Sequence, residues 1–393
     1  MHLSRFLLCF VAAVSGVSAS RHTSTQPILF AGTYTCDMGW INGKGKGIYT
    51  YKIMDDGSLT KWAITEVGTN PTYVIASHKK FSTGNKVIYA VNSIDEMVPE
   101  EPGKVTGYVL ALTLNADGTL KLLNAVYTLG GSPTHISLNQ NETFMVVSNY
   151  AGSFTMFSIN QEDGSLGKTT YHKEFLKGSM VVKKRQDTGH IHSSLWLPNS
   201  DHLVVANLGD DELLQYKLKS KKQTLKRMKT LKSSPGAGPR QIALHPEGKI
   251  AYVVNELSNT VTVYEVDTEA AKLSKKALQE ITTLPNDFGN STSTSADIHL
   301  SSNGKFLYTS NRGHDSIAIF KIETNGTLVS LGWEKSRGKS PRSFVVYHNH
   351  LIVANQDTND MFVFNVNSKT GLLSFTGNKY TIHSAVGLHV ANF

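Results

Sequence analysis

The chain has 393 residues, of which 40% are apolar and 18% charged, and its formal net charge is +8. This length is enough to bury a large core, and two cysteines, Cys9 and Cys36, are too few for a disulfide scaffold. The basic run at residues 217–232 lacks interleaved aromatic side chains and any nucleic-acid motif, so we expect no nucleic-acid partner. The positive charge instead favours attraction of small anionic molecules.

Residues 1–19 are predicted to be a secretory signal peptide, followed by a single domain over residues 20–393. Arg5 precedes a short apolar run, and Val17 and Ala19 place small residues at the positions before a cleavage site. The run is too short to span a bilayer, so we expect a secreted protein without a membrane anchor after cleavage. Three glycosylation sequons that fit this route begin at Asn141, Asn290 and Asn325.

A strand–turn–strand pattern of alternating apolar residues recurs seven times along the chain. The copies begin at Leu29, Ile88, Val146, Val204, Tyr252, Leu307 and Ile352. Each copy is followed by a turn closed by a leucine, at Leu59, Leu120, Leu166, Leu225, Leu273, Leu328 and Leu373. These leucines are 45 to 61 residues apart, close to the period of about 40–50 residues that a four-stranded propeller blade needs. The sequence therefore predicts an all-β, seven-bladed β-propeller.

A second repeated segment precedes most of these copies, and we assign it to the innermost strand of each blade. It begins at Pro71, Pro133, His190, Pro239, Ser295 and Pro341. A seventh copy, at residues 383–393, has no partner after it in the chain. This copy is predicted to complete the blade begun at Leu29, so that pairing of the N- and C-terminal strands closes the ring and removes its free edges.

Polar and charged residues recur where these inner strands begin, which is where they would converge on a central channel. Aligned on the prolines, the inner strands offer Tyr73, His135, His192, Arg240, Asp297 and Arg342. The turns of the neighbouring strands add Asn149, Tyr150, Asp210, Glu256, Arg312 and Gln356. Because unpaired buried charge is costly, such groups must pair with one another or meet a polar ligand. We therefore predict a functional site in the channel.

These residues also carry a resemblance to a known family. The segments GHIHSS, GAGPRQIALHPEGK, VVNEL, YTSNRGHDSI, SPRSF and VANQ resemble those of the propeller lactonases, which include the bacterial-type 6-phosphogluconolactonases and the fungal carboxy-cis,cis-muconate lactonizing enzymes. The resemblance runs from about Ile28 to the C-terminus. It implies a seven-bladed propeller that acts on a small anionic lactone in its channel without a bound cofactor.

The resemblance implies a catalytic set of His192, Arg240, Glu256 and Arg312. Histidine titrates near neutral pH and suits general acid–base work, while the arginines suit a carboxylate, a phosphate or a developing oxyanion. Glu256 either activates water or orients a neighbouring side chain. The candidate substrate-binding residues are His135, His190, Asp297, Arg342 and Gln356. The chain departs from the usual family pattern at Gln241, Ser93 and Ser343, and we expect those positions to contact the substrate.

Other chemistries are less well supported by the sequence. The chain has no G-x-S-x-G motif for a serine hydrolase. His190 and His192 alternate as zinc ligands on a strand would, but we predict no metal, because a channel rich in arginine and histidine suits anions. A lactonizing cycloisomerase that acts on carboxy-cis,cis-muconate and a non-catalytic propeller that binds a ligand or protein are the alternative functions. The protein is expected to be a monomer.

Three conspicuous residues were assigned to packing. His245 lies in the turn ALHPEG, at the opposite end of its strand from the channel mouth, and is expected to be structural. Trp40 and Trp62 fall outside the inner strands and are expected to pack in a core or a loop.

Overall fold

The computed structural model of the protein describes residues 26–98, 103–289 and 292–393. The predicted signal peptide of residues 1–19 and the sequon at Asn290 lie outside these ranges. The sequon residues Asn141 and Asn325 are exposed in turns. Within the described ranges, the structure contains no helix that is both long and apolar enough to cross a membrane.

The described residues form seven antiparallel sheets arranged as the blades of a propeller. Blades 1 to 3 are built from β1 (Pro27–Thr33), β2 (Ile48–Ile53), β3 (Leu59–Thr65), β4 (Pro71–Ala76), β5 (Ile88–Met97), β6 (Val105–Leu114), β7 (Leu120–Tyr127), β8 (Pro133–Leu138), β9 (Phe144–Asn149), β10 (Ser153–Ile159) and β11 (Leu166–Glu174). Blades 4 and 5 contain β12 (Ile191–Trp196), β13 (His202–Asn207), β14 (Glu212–Lys219), β15 (Thr224–Lys232), β16 (Pro239–Leu244), β17 (Ile250–Asn255), β18 (Thr260–Asp267), β19 (Lys272–Leu273) and β20 (Gln279–Thr282). Blades 6 and 7 contain β21 (Thr294–Leu300), β22 (Phe306–Arg312), β23 (Ser316–Ile322), β24 (Leu328–Lys335), β25 (Pro341–Tyr347), β26 (His350–Asn355), β27 (Asp360–Val366) and β28 (Leu373–Thr381), and β29 (Ala385–Asn392) returns to blade 1.

The strand order confirms the predicted architecture. The innermost strands are β29, β4, β8, β12, β16, β21 and β25, which are the seven segments assigned to that position from the sequence. In blade 1, β29 pairs with β1 from Thr33–Ala385 to Pro27–Asn392, so the two ends of the chain share one sheet. Blade 5 is the irregular one, because its outer strand is divided into β19 and β20, both of which pair with β18.

Apolar contacts between neighbouring blades hold the ring together. The leucines that close the repeats are the first or, in blade 4, the second residue of the outer strands, or in blade 5 end β19, and all are buried. A second device repeats in three blades: Tyr89, Tyr252 and Tyr308 are fully buried, and each hydroxyl donates to a glycine carbonyl in a turn of the following blade. Since a buried tyrosine hydroxyl needs a partner, this contact fixes the spacing of adjacent blades.

Two turn families lie at the end of the channel where the inner strands begin. One joins the second and third strands of each blade, and the other joins an outer strand to the next inner strand. Two of these connections are long: residues 34–47 in blade 1, and residues 175–190 between blades 3 and 4. Loops at one face can vary in length without disturbing the blades, so this face is suited to carry a site.

Closure of the ring by β29 makes a testable prediction. Deleting residues 388–393 removes five of the seven paired positions of β1 and the contact of Phe393 with Phe30, whose rings lie 5.7 Å apart. We expect the whole domain to lose stability or solubility, because blade 1 would lack half of its inner strand. Thermal unfolding followed by circular dichroism measures this loss. The control is Val329→Ala on the exposed face of β24, which should leave the midpoint nearly unchanged; an equal midpoint for the truncated protein would contradict strand closure.

Candidate active site at the channel mouth

A β-bulge at the start of every inner strand aims one side chain into the channel. In each blade the pairing register shifts by one residue there, as between Pro239 and Gln241 in β16 and between Pro341 and Ser343 in β25. The residues at these bulges are Val386, Thr72, Thr134, His192, Arg240, Ala296 with Asp297, and Arg342. Bulges commonly redirect side chains beside active sites, and all of these residues except Ala296 line one cavity.

The bulges correct one part of the sequence alignment. Tyr73 and His135 were aligned with His192 and Arg240, but the equivalent positions in blades 2 and 3 are Thr72 and Thr134. Tyr73 still lines the cavity. His135 is buried beside Tyr73, with ring centroids 4.7 Å apart, and burial lowers the pKa of His135 to about 3. A histidine that stays neutral in an apolar contact is placed to shape the channel wall.

The carboxylate of Glu256 is the hub of the site. Glu256 is 3% exposed and directly follows β17, in a turn that directs its side chain inward. Arg240 Nε donates to Glu256 Oε2 at 2.8 Å, and Arg312 Nη2 lies 3.1 Å from Oε1. Arg185 Nη2 also donates to Oε1. Burial opposes ionisation of Glu256, but Arg312, Arg240 and Arg185 outweigh burial and hold the pKa of this carboxyl well below its ordinary value.

His192 lies next to this cluster and is electrically neutral. The ring lines the cavity, and its Nδ1 has no hydrogen-bond partner among the described residues. Burial, followed by the charge of Arg240, lowers the pKa of His192 well below 6.5. At neutral pH the imidazole therefore has a lone pair available to accept a proton.

His190 is held differently from His192. Its ring stacks on Tyr150 with centroids 4.3 Å apart, Nδ1 lies 2.7 Å from the carbonyl oxygen of Tyr150, and Nε2 lies 3.2 Å from Asp187 Oδ1. Both ring nitrogens are thus engaged, and His190 supports the wall behind Tyr150.

Among the described residues, no group of three or more histidine, cysteine or carboxylate side chains could hold a metal ion.

Asp297, Arg342 and Gln356 come from blades 6 and 7. Asp297 Oδ2 accepts hydrogen bonds from Ser343 Oγ at 2.9 Å and from the Phe344 amide at 3.2 Å. Arg342 Nη1 donates to Gln356 Oε1 at 3.2 Å. Two of the departures from the family pattern, Gln241 and Ser343, line the cavity, and their contact with a substrate stays a prediction. The third, Ser93, is buried behind the turn of Asn70 and does not line it.

Two residues at the mouth were missed by sequence reasoning. Arg185 arrives on the long connection of residues 175–190, and besides Glu256 it contacts the Tyr150 hydroxyl at 3.1 Å. No repeat position corresponds to Arg185, so periodicity could not have found it. Trp40, expected to pack in a core or a loop, does contact the Tyr34 ring in the loop of residues 34–47, but 58% of its surface is exposed and the guanidinium of Arg342 lies 5.3 Å from its ring centroid, a contact that the sequence did not predict. Asp210, another channel candidate, lies at the rim, 3.7 Å from Lys232.

The cavity itself is small, about 40 Å³, and is lined by the residues at the bulges together with Tyr34, Tyr73, Gln241 and Ser343. A larger groove of about 1460 Å³ lies at the other end of blades 5 and 6 and includes His245. Its charged side chains are lysines and carboxylates on the surface, whereas the small cavity is lined by buried charged groups. Because perturbed ionisable groups cluster at functional sites, the small cavity is the candidate active site.

Comparisons with known proteins identify the family of the chain. Residues 28–390 match the family model described as Lactonase, 7-bladed beta-propeller. The 6-phosphogluconolactonase of Bacillus subtilis strain 168 is 32% identical over 355 residues, which cover 89% of this chain and 94% of that protein. The crystal structure of a candidate 6-phosphogluconolactonase from Bacteroides fragilis has a TM-score of 0.80 and 30% identity, covering 94% of this chain and 99% of that one. A periplasmic gluconolactonase of Pseudomonas aeruginosa has a TM-score of 0.82 and 25% identity, with coverage of 93% and 99%.

Because Glu256 is buried among arginines, we expect its substitution to lower the stability of the fold strongly. Glu256→Gln keeps the shape but leaves the buried guanidiniums without a counter-charge, so we expect the free energy of unfolding to fall by about 3–5 kcal/mol. Urea denaturation measures this change. The control is Glu334→Gln, which removes an exposed ion pair with Arg337 at 3.4 Å and should cost less than about 1 kcal/mol.

The pH dependence of this effect has a defined sign. The pKa of Glu256 is lower in the folded protein, so its stabilisation is complete above the ordinary value of 4.5 and is lost as pH falls below it. The difference in unfolding free energy between wild type and Glu256→Gln should therefore shrink below pH 4.5. A difference that stays constant into the acid range would contradict an ionised carboxylate at this position.

Proposed function

This chain belongs to the lactonase family of seven-bladed β-propellers, and from that premise we propose that it hydrolyses a small anionic lactone in its central channel. The observation that carries the proposal is the pair of buried arginines, Arg240 and Arg312, held by one carboxylate beside a neutral histidine. Hydrolysis of a lactone needs a group that stabilises an oxyanion and a group that takes a proton from water, and these residues supply both.

The arginines stabilise the negative charge that develops on the lactone carbonyl oxygen. Glu256 contacts one N–H edge of each guanidinium, so Arg240 and Arg312 are held in position before the substrate arrives. Pre-fixed donors in a cavity with little water stabilise a transition state without reorganising during the reaction. Since three arginines already engage its carboxylate, Glu256 is placed to orient these arginines and not to activate water.

His192 moves the proton. The oxygen of a water molecule attacks the lactone carbonyl carbon, and the neutral imidazole takes one proton from that water as the new C–O bond forms. The ring C–O bond then breaks, and the departing alkoxide receives the proton from the imidazolium to give a hydroxy acid. The cationic neighbours that lower the pKa of His192 also promote return of the proton in the second step.

The substrate class follows from charge and from the relatives. Arg185, Arg240, Arg312 and Arg342 surround the mouth, against the carboxylates of Glu256 and Asp297, which leaves net positive charge for an anionic lactone. Two relatives are named for 6-phosphogluconolactone and one for gluconolactone, so we propose a sugar lactone of this type, with a carboxymuconolactone as the other anionic form to assay. We propose no cofactor and no nucleic-acid or membrane partner, and a monomer as the working form.

Substitutions in the channel test the proposal on purified protein. We expect Arg240→Ala and Arg312→Ala to lose about 100- to 1000-fold in kcat/KM, as removal of an oxyanion donor does. His192→Ala should lose roughly 100-fold or more. Lactone hydrolysis in a pH-stat measures the rates above the spontaneous background, and circular dichroism verifies the fold of each variant.

His245→Ala is the matched control, because His245 lies at the far end of β16 and its Nε2 is 3.2 Å from the carbonyl oxygen of Gly304. This variant should retain the wild-type rate. Full activity of His192→Ala would refute its acid–base role. Binding of a lactone by wild type without any hydrolysis would identify a non-catalytic binding propeller, and ring closure of carboxy-cis,cis-muconate would identify a cycloisomerase.

We also propose that the protein is secreted through the signal peptide of residues 1–19. A relative described as periplasmic shows that an exported member of this fold exists, which supports the proposal. N-terminal sequencing of protein recovered from the medium of expressing eukaryotic cells should begin near Ser20. The control is a variant lacking residues 2–19, which should stay inside the cells; recovery of intact Met1 from the medium would contradict cleavage.

A further inference from the structure

Arg342 differs from the other three arginines at the channel mouth. Arg185, Arg240 and Arg312 all bind Glu256, whereas Arg342 donates to the neutral amide of Gln356 and forms no ion pair with any described residue. Yet Arg342 lines the same cavity as His192 and Arg240. A half-buried guanidinium without a carboxylate partner is suited to bind an anion that arrives from outside.

Two aromatic rings hold Arg342 in place. The guanidinium carbon lies 5.3 Å from the centroid of Trp40 and 5.8 Å from that of Tyr34. Those rings contact each other edge to face, with centroids 5.2 Å apart and planes at 85°. Cation–π contacts position a guanidinium without neutralising it, so the charge of Arg342 remains available to a ligand.

The loop that carries Trp40 is braced at its base. The Gly43 amide donates to Cys36 O at 3.0 Å, and the Gly45 amide donates to Tyr34 O at 2.9 Å. A Cβ atom at Gly45 would lie 2.2 Å from Thr33 Oγ1, so only glycine allows the two sides of the loop to pass this closely. The bracing holds the loop at the cavity mouth, although more than half of the surface of Trp40 is exposed. An exposed tryptophan held at a cavity mouth offers a flat apolar surface to a ligand.

The cavity is too small to hold the whole proposed substrate. A cavity of about 40 Å³ beside His192 and Arg240 has room for a few waters, and thus for the reacting carbonyl but not for a whole sugar lactone. The rest of the molecule must extend out of this cavity, past the wall formed by Arg342 and toward Trp40.

We propose that Arg342, Tyr34, Trp40 and Gln356 form a specificity subsite, which binds an oxyanion substituent carried by the lactone away from its carbonyl. Arg342 with Gln356 binds the phosphate or carboxylate, and the exposed ring of Trp40 covers the apolar face of the lactone. The subsite rests on the proposed lactonase function, and it determines which lactone is preferred without taking part in the reaction itself.

The variant Arg342→Gln tests whether the positive charge of Arg342 binds the anionic group of the substrate. Three lactones are assayed: 6-phosphogluconolactone, a carboxylated lactone and neutral gluconolactone. A hydrogen bond to a charged group contributes about 1.5–3 kcal/mol, so KM for the preferred anionic lactone should rise about 10- to 100-fold while kcat changes little. KM for neutral gluconolactone should stay within about twofold. Whichever anionic lactone shows the rise identifies the group, phosphate or carboxylate, that the subsite binds.

Arg337→Gln is the matched control. Arg337 lies on the same face of the propeller and has the same charge, but it stacks 4.5 Å from the ring centroid of Phe375 and is absent from the cavity wall. Its loss should leave the preference between anionic and neutral lactones unchanged, which separates the local subsite from the overall positive field.

Trp40→Ala should raise KM for anionic and neutral lactones alike, and Trp40→Phe should restore most of the loss. An Arg342→Gln enzyme with the wild-type preference overturns the inference and leaves the lactonase proposal intact. If wild type hydrolyses none of the lactones, the proposed function fails. Ligand binding measured by calorimetry then tests whether the subsite exists. In that case 6-phosphogluconate should bind wild type about 10- to 100-fold more tightly than Arg342→Gln, and the uncharged sugar glucose should not distinguish the two proteins; equal or absent 6-phosphogluconate binding overturns the subsite.

Discussion

One buried carboxylate organises the charged groups of this propeller. Glu256 lies where three guanidiniums converge, and each of them comes from a different part of the chain: Arg240 from β16, Arg312 from the end of β22 and Arg185 from a connection between blades. Removing Glu256 would leave the buried guanidiniums without a counter-charge, which is far more costly than losing a surface ion pair. The cluster therefore links the geometry of the candidate site to stability, since the carboxylate that positions the arginines is also their counter-charge.

The backbone supplies the second constraint. Inner strands of a propeller run side by side along the channel, and regular pleating would send alternate side chains to the two faces of each blade. The bulge at the start of each strand breaks this alternation and turns one side chain toward the axis. In blades 4, 5 and 7 the redirected residue is His192, Arg240 or Arg342. In blades 2 and 3 it is threonine, so the reactive groups are confined to one side of the ring.

The charged groups at the mouth fall into two sets with different partners. Glu256 holds Arg240 and Arg312 next to His192. Arg342 is held instead by aromatic rings and by Gln356, without an ion pair to any described residue. The loop of residues 34–47 contributes Tyr34 and Trp40 to the second set only, so this loop can vary without altering the Glu256 cluster.

The sequence determined the features that depend on local periodicity. Alternating apolar residues, turn residues and recurring leucines specified the blades, and the unpartnered segment at residues 383–393 specified how the ring closes. The sequence also located His192, Arg240, Glu256 and Arg312, because repeat positions and family motifs coincide there. Tertiary structure alone decided which groups pair with which. Arg185 and Trp40 lie in connections that have no repeat equivalent, and their neighbours are distant in the chain. The role of Glu256 is likewise a property of three converging arginines, and convergence across blades has no signature in the order of the residues.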